Sequence, residues 1–461
     1  MKKRFIILWS LVLVFFATSC SLDPTLAQDE DIEFLPTTES LRQLIDGSYV
    51  RMVNYRYMGR NMIIAGEVRA DNVYSDGNSG RFIRWSNMNL LDTDGDAGDL
   101  MAYAYGTATN ANILINTNMD DVEGSDADKN QILGEAYALR AYAYFDLLRV
   151  FGQKYSEGNN LGISYVKQFK GPRNIPRGTV DSNYEDLKSD IENAIHYMSL
   201  GQDSEYADSK TNFNLDAVYA LQSRVGIYMK DYTYAYNGSK EIVDAYPVTP
   251  EGQFVQMWKQ QTPPPASIFE LFQNTSTNNQ GINGIANIYR GTSYGDIMVF
   301  DNFIDDADFD SGDIRISEDM IKVADGGLRN MGKYPSMGTM LGADNIKVFR
   351  IEEIVLNHAE ALANGAGTGD PLEYLNRIPE NRGASAYSEA SMENILKERR
   401  KELVFEGFRF FDLARMGMDI RDMGEPINNH GHIEAGNYKF AFPIPQREMN
   451  QNRDAVQNPG Y

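Results

Sequence analysis

The sequence predicts a mainly α-helical protein in which pairs of helices form one scaffold, with long irregular loops and a few short strands. Two observations support this prediction. Apolar residues recur at helical spacing in several segments, most regularly over 132–150, which places them on one face of a helix. Two segments rich in Gly, Asn and Asp, 75–99 and 275–345, interrupt that spacing and are predicted to be long loops, which are often functional.

The predicted helices can be followed in order along the chain. Pro36 to Glu39 is typical of a helix start, and helical spacing continues to Val53. Further predicted helices span 110–119, 132–150, 184–198, 215–229, 232–245, 348–363, 371–378 and 392–415, and the alternating segment 267–273 predicts a strand. Small and large residues from Gly226 to Pro247 are spaced nearly as in a tetratricopeptide helix pair. Any antiparallel pair needs small residues at its crossing, so a regular repeat stays open.

The first 19 residues are predicted to be a secretory signal peptide. Lys2 to Arg4 form a cationic start, an apolar span follows from Phe5 to Ala17, and small residues precede Cys20. Cys20 is the only cysteine of the chain and has no disulfide partner, so we predict that its thiol carries a lipid. An incidental cysteine within a cleaved leader is the alternative.

The remainder of the chain is predicted to be a lipidated linker, 20–34, and a single domain, 35–461. No later segment approaches the roughly 18 apolar residues that span a bilayer, so we expect membrane attachment through the lipid alone. Acidic residues outnumber basic ones by 65 to 43, which gives a net charge of −22. This surface charge disfavours nucleic acid as a partner because it repels phosphate.

No motif predicts a catalytic or metal centre. Gly291 to Gly295 fits the G-x-S-x-G pattern but lies in loop-like sequence, so we interpret it as a chance match. Two acidic triplets have the spacing of calcium ligands without a properly placed glycine or glutamate, and each is more typical of a solvated loop; they are Asp92, Asp94 and Asp96, and Asp306, Asp308 and Asp310. We expect no cofactor, with calcium as the alternative.

Glu398, Glu402 and Glu406 form a row of like charges at helical spacing. We interpret the row as part of a structural ion-pair network, with Arg399 and Arg409 as its partners.

Four long segments resemble the SusD/RagB family of nutrient-binding lipoproteins, in the order in which the family carries them. They are 134–152 (GEAYALRAYAYFDLLRVFG), 350–363 (RIEEIVLNHAEALA), 395–417 (ILKERRKELVFEGFRFFDLARMG) and the closing segment 442–461. One departure is Ile378-Pro379, where the family has Arg-x-Arg-Ala-Gly, and it puts the local helix end in question.

The resemblance implies a fold of tetratricopeptide-like helical pairs with the ligand site on the irregular loops. It also implies a lipid-anchored protein exposed on the outer membrane. Its partner would be a TonB-dependent, SusC-like barrel that it covers as a lid. The implied cargo is an oligosaccharide, although some relatives take peptides, and the family brings no catalytic residues.

Ligand-binding residues are predicted from chemistry, since sugar rings present apolar faces to aromatic side chains and hydroxyls to polar ones. Trp85 is the first choice, because an indole among Gly, Asn and Arg is poorly explained as core. The first loop supplies Tyr74, Asp76, Asn78, Arg81, Phe82 and Trp85, and the second supplies Asn287, Tyr289, Arg290 and Tyr294. A surface-tethered glycoside hydrolase and a purely structural helical adaptor are the alternative functions.

Overall fold

The computed structural model describes residues 37–153, 160–170, 174–276, 278–291, 294–335 and 342–461. These residues belong to one compact unit, Thr37–Tyr461. The unit is mainly helical, with few short strands, and this confirms the predicted fold class. The predicted signal peptide, Cys20 and the linker lie outside the described residues, and their assignment stays a prediction.

The helices are numbered α1 to α16 and the strands β1 to β6 in chain order. The helices are α1 Thr38–Met52, α2 Asn61–Glu67, α3 Ile83–Ser86, α4 Gly95–Ile115, α5 Asp126–Phe151, α6 Val180–Leu200, α7 Leu215–Met229, α8 Tyr232–Ile242, α9 Glu251–Met257, α10 Ile285–Arg290, α11 Phe303–Asp306, α12 Ile351–Ala363, α13 Pro371–Asn376, α14 Met392–Leu403, α15 Arg409–Met416 and α16 Gln446–Gln451. The strands are β1 Val73–Ser75, β2 Ser267–Leu271, β3 Ile297–Val299, β4 Ile321–Ala324, β5 Gly327–Asn330 and β6 Ile346–Arg350.

The long helices α5 and α6 pack side by side in opposite directions. Gly134 near the start of α5 lies against Met198 near the end of α6, and Arg140 forms a buried ion pair with Asp190 further along both helices. The absence of a side chain at Gly134 allows this approach, because a Cβ there would lie 2.4 Å from the Met198 side chain. Thr179 is the N-cap of α6 and forms a capping box with Ser182.

The second clear pair, α7 and α8, also crosses at glycine. Gly226 lies against Ala235 and Gly238 lies against Tyr219, so the chain reverses direction through the two residues between the helices. Asp231 accepts a hydrogen bond from the Tyr234 amide and begins α8. This is the helical pair that the spacing of small residues predicted.

The two predicted loops contain more regular structure than we expected. The segment 75–99 includes α3 and the first turn of α4, and 275–345 includes α10, α11 and strands β3 to β5. The strands and α3 have only three or four residues, too few for a periodic pattern to show in the sequence. All three strand pairs, β1–β3, β2–β6 and β4–β5, are antiparallel.

Several predicted helix bounds are wrong. The helix predicted over 110–119 is α4, which begins at Gly95 within the predicted loop and ends at Ile115. Residues 348–350 end strand β6, and the helix α12 begins only at Ile351. The predicted helix 392–415 is two helices, because the chain turns between Leu403 and Arg409. Phe405 and Gly407 have positive φ angles of 71° and 88° there, and glycine adopts such angles without the steric cost of a Cβ.

The acidic row of Glu398, Glu402 and Glu406 is part of a buried ion-pair network, as predicted, but the cations that pair with Glu402 and Glu406 are different. Glu402 accepts hydrogen bonds from Arg350, Arg382 and Arg315, and Glu406 accepts from Arg350 and Lys333. The two expected partners point elsewhere: Arg399 pairs with Asp412 and Arg409 pairs with Asp71. The cations that neutralise the row come from distant segments, which helical spacing alone does not reveal.

Within the described part of the chain, no helix is both long enough and apolar enough to cross a membrane.

Candidate ligand-binding site

Strands β1 and β3 bring the two predicted loops together. They pair with Tyr74 opposite Met298 and Ser75 opposite Ile297. Because the pairing is antiparallel, the residues that follow β1 lie beside the residues that precede β3. The Asp76 amide donates a hydrogen bond to the Asp296 carbonyl at 2.9 Å, which extends the pairing into the loops.

Four of the predicted site residues meet at this junction. The side-chain amide of Asn78 donates a hydrogen bond to the Tyr294 carbonyl at 2.7 Å. The Arg81 guanidinium lies over the Tyr294 ring, 3.6 Å from its centroid. Asp76 lies 3.7 Å from Arg329 at the base of the same junction. Asn78 is exposed, and Asp76, Arg81 and Tyr294 are half-buried, so parts of all four remain accessible.

Two residues that were not predicted from the sequence hold the junction together. Ser79 donates both its amide and its hydroxyl hydrogen to one carboxylate oxygen of Asp296. Arg329 of β5 donates to the carbonyls of Gly295 and Ile297 at 2.8 and 3.2 Å. Neither residue stands out in the sequence, because the role of each depends on the strand pairing.

The second carboxylate oxygen of Asp296 is buried and has no hydrogen-bond partner among the described residues. Such an oxygen can accept a hydrogen bond from a water molecule or a ligand hydroxyl.

Burial changes the acid–base behaviour of Asp76 at the junction and of Tyr74 in the adjoining strand β1. It raises the pKa of the Asp76 carboxyl above its ordinary value. Burial also raises the pKa of Tyr74 to about 12, with a further contribution from the nearby Glu425. The Tyr74 hydroxyl is therefore neutral at physiological pH and keeps its proton for hydrogen bonding.

The prediction that Trp85 is an exposed binding platform is wrong. Its side chain is 1% exposed and packs edge-on against Phe82 and Phe442, with ring centroids 5.2 and 4.9 Å away. The short helix α3 turns the indole and Ser86 inward, while Arg84 and Asn89 face solvent. Phe82 is buried as well and belongs to the same aromatic core.

Four other predicted residues also belong to the core or lie outside the junction. Asn287 and Tyr289 are fully buried in the short helix α10, and the Tyr289 ring stacks on Tyr334. Arg290 is half-buried and donates a hydrogen bond to the Met331 carbonyl at 2.5 Å. Tyr74 is 9% exposed, with its ring against Phe300.

The two acidic triplets do not gather into ion sites. Asp306 contacts Arg400 and Arg421, Asp308 contacts Lys397, and Asp310 accepts from the Ser385 amide. In the other triplet, Asp94 begins α4 and Asp96 pairs with Arg60. Across the described residues, no three His, Cys, Asp or Glu side chains are grouped closely enough to hold a metal ion. The serine of the G-x-S-x-G match lies outside the described residues.

Two family models match this chain. The model of the SusD family matches residues 329–461, and a model described as "Starch-binding associating with outer membrane" matches residues 26–227. The chain belongs to the SusD/RagB family. These matches confirm the family resemblance that the four sequence segments indicated.

Individual relatives agree with this family. The SusD-like protein P2 of Formosa agariphila is 23% identical over 93% of this chain and 94% of its own length. Starch-binding protein SusD of Bacteroides thetaiotaomicron is 32% identical over 29% of this chain and 24% of its own. The crystal structure of a putative sugar-binding protein from Bacteroides vulgatus superposes with a TM-score of 0.83, at 25% identity, and covers 93% of this chain and 99% of that one.

Proposed function

We propose that this member of the SusD/RagB family binds oligosaccharides at the cell surface without cleaving them. The observation that carries the proposal is the junction of the two loops, where Tyr294, Arg81 and Asn78 meet. An aromatic face backed by a guanidinium suits the apolar side of a sugar ring, and amide and carboxylate groups around it suit the hydroxyls. Two relatives, one named for starch binding and one for sugar binding, support the same ligand class.

The proposal extends to the transport role that the family resemblance implies. The protein would be anchored in the outer membrane by a lipid on Cys20. It would pass its ligand to a TonB-dependent, SusC-like barrel that it covers as a lid. Purification of the full chain from mild detergent extracts of its native cells should then yield such a barrel in near-equal amount. Recovery of the protein without any barrel would contradict the partnership and leave ligand binding unaffected.

The binding proposal is tested by calorimetric titration of the detergent-solubilised full chain with a panel of oligosaccharides. We expect saturable binding by at least one of them, and an affinity about tenfold lower in Tyr294→Ala because the ring contact is lost. Tyr374→Ala is a matched control, since Tyr374 also lies under a guanidinium, that of Arg377 at 4.1 Å, but on helix α13. Its affinity should equal that of the wild type.

The same titrations distinguish the alternative functions. Release of shorter sugars during the incubation, detected by chromatography, would identify a glycoside hydrolase. Binding of peptides but no oligosaccharide would identify a peptide-binding relative, and binding of neither would favour a structural adaptor.

A further inference from the structure

A segment near the C-terminus reaches the same junction. Residues 417–437, which we call the C-terminal loop, leave α15 at Gly417 and are closed at their base by two hydrogen bonds between Ile420 and Ile433. Both isoleucines are buried. The loop therefore has a fixed base.

The tip of the C-terminal loop contacts the first predicted loop, 75–99, at two points. The Asn429 amide donates to the Asn87 side chain at 3.0 Å. Ile427 lies against Gly77, where an added Cβ would be 3.3 Å from its Cδ1 atom. Gly77 adjoins both Asp76 and Asn78 in the chain, so the Ile427 side chain lies beside the predicted ligand-binding groups.

The tip also has the chemical features of a ligand contact. Ile427 is 38% exposed despite its contact with Gly77, which leaves an apolar surface open next to polar side chains. Asn428 is buried, and its side-chain oxygen has no hydrogen-bond partner among the described residues. An apolar surface beside a free acceptor matches the ring face and the hydroxyls of a sugar.

One arginine ties the C-terminal loop to the segments that flank the β1–β3 pair. Arg421 donates to Asp71 at 2.8 Å and to both carboxylate oxygens of Asp306 at 2.9 and 2.6 Å. Asp71 lies two residues before β1, and Asp306 ends the short helix that follows β3. The guanidinium thus joins the loop to the chain on either side of the β1–β3 pair, and bidentate pairs of this kind fix orientation as well as distance.

We propose that the C-terminal loop forms a third wall of the ligand site. This proposal rests on the proposed oligosaccharide binding. Ile427 is a specificity-determining residue that meets the apolar face of a sugar ring. Arg421 is a positioning residue, which acts by holding the loop against Asp71 and Asp306.

Removal of Arg421 should leave the fold intact. Asp71 keeps its contacts with Arg409 and Arg400, and Asp306 keeps its contact with Arg400, so neither carboxylate loses all of its cations. The Arg421 side chain is itself 47% exposed. An effect of Arg421→Ala on binding can therefore be separated from unfolding.

The test compares the wild type with Ile427→Ser, Arg421→Ala and Arg421→Lys, using the oligosaccharide that the wild type binds best. We expect Ile427→Ser to weaken binding about fivefold and Arg421→Ala about tenfold, with intermediate binding in Arg421→Lys because an ammonium still pairs with Asp306. Leu200→Ser is the control, since Leu200 is 55% exposed at the end of α6, and it should bind as the wild type does.

Hydrogen exchange separates positioning from direct contact. Arg421→Ala should speed amide exchange within 419–433 while the melting temperature and the exchange of α5 stay unchanged. Weakened binding without faster exchange would overturn the positioning role, and unchanged affinity in both Ile427→Ser and Arg421→Ala would overturn the third wall. A wild type that binds no oligosaccharide would instead overturn the proposed function itself.

Discussion

At the scale of single residues, Arg350 is a central side chain of the buried ion-pair network. It is almost completely buried and donates hydrogen bonds to both Glu402 and Glu406, at 2.6 and 2.8 Å. Two carboxylates so close together tolerate burial only with cations between them. The neighbouring cations Arg382 and Lys333 share this role, so Arg350 is one part of a network.

We expect Arg350→Met to lower the free energy of unfolding by about 3 kcal/mol, since it leaves two buried carboxylates with fewer cations. Urea unfolding followed by circular dichroism measures the change. Arg377→Met is the matched control, because Arg377 pairs with Asp244 and Glu373, whose side chains are 67% and 64% exposed. Exposed pairs contribute at most about 1 kcal/mol, so equal losses in the two variants would contradict a structural role for the network.

Also at the residue scale, chemical type was easier to predict than exposure. Tyr294 and Trp85 are both aromatic residues among Gly, Asn and Arg, yet Tyr294 reaches the surface junction while Trp85 is core. The difference arises because Phe442, near the other end of the chain, covers the indole. Local sequence carries no information about that contact.

At the scale of elements, the helices were predicted well because their determinants are local. Thr37 and Ser391 accept hydrogen bonds from the first turns of α1 and α14, and apolar spacing marks the faces that pack. The break between α14 and α15 was missed. The positive φ angles at Phe405 and Gly407 serve a contact with α2, where the Gly407 backbone lies against Gly66.

The crossing of α7 and α8 gives a prediction at this scale. A Cβ at Gly226 would lie 2.4 Å from the Ala235 amide nitrogen, so we expect Gly226→Ala to push the helices apart and to cost about 2 kcal/mol of stability. Thermal unfolding measures this loss. Gly47→Ala in the exposed middle of α1 has nothing within 4 Å of the new Cβ and should instead gain about 1 kcal/mol. A gain in both variants would show that the crossing is not close-packed.

At the scale of the whole molecule, one buried carboxyl makes global stability depend on pH. Glu67 is fully buried at the end of α2 and accepts hydrogen bonds from the amides of Gly407 and Phe408. Burial raises the pKa of Glu67 from 4.5 to about 7. Between these values the folded state holds a proton that the unfolded state has lost, so this contribution to stability is present at low pH and is lost as pH rises through 7.

Glu67→Gln should remove this dependence, because the amide keeps the acceptor oxygen without a titrating proton. We expect the free energy of unfolding of the variant, relative to that of the wild type, to rise by about 3 kcal/mol between pH 4.5 and 8. Urea unfolding at each pH measures this difference. A difference that stays constant across this range would show that Glu67 does not titrate on folding.

Attachment to the membrane is also a property of the whole protein. If Cys20 carries the proposed lipid anchor, Cys20→Ala should move the protein from the membrane fraction to the soluble fraction while its oligosaccharide affinity stays the same. Ser19→Ala keeps a small residue before the cysteine and should remain in the membrane fraction. Retention of Cys20→Ala on membranes after a high-salt wash would contradict the lipid anchor.

The sequence by itself determined the helical class, most of the helices and the existence of an ion-pair network, because periodicity, capping and charge spacing act within a few residues of one another. It also marked both loops that carry the candidate site. Only the tertiary structure decided which loop residues meet, since Tyr294 and Arg81 come together through the pairing of β1 with β3. Contacts between distant segments set burial, and burial separates a binding surface from a core.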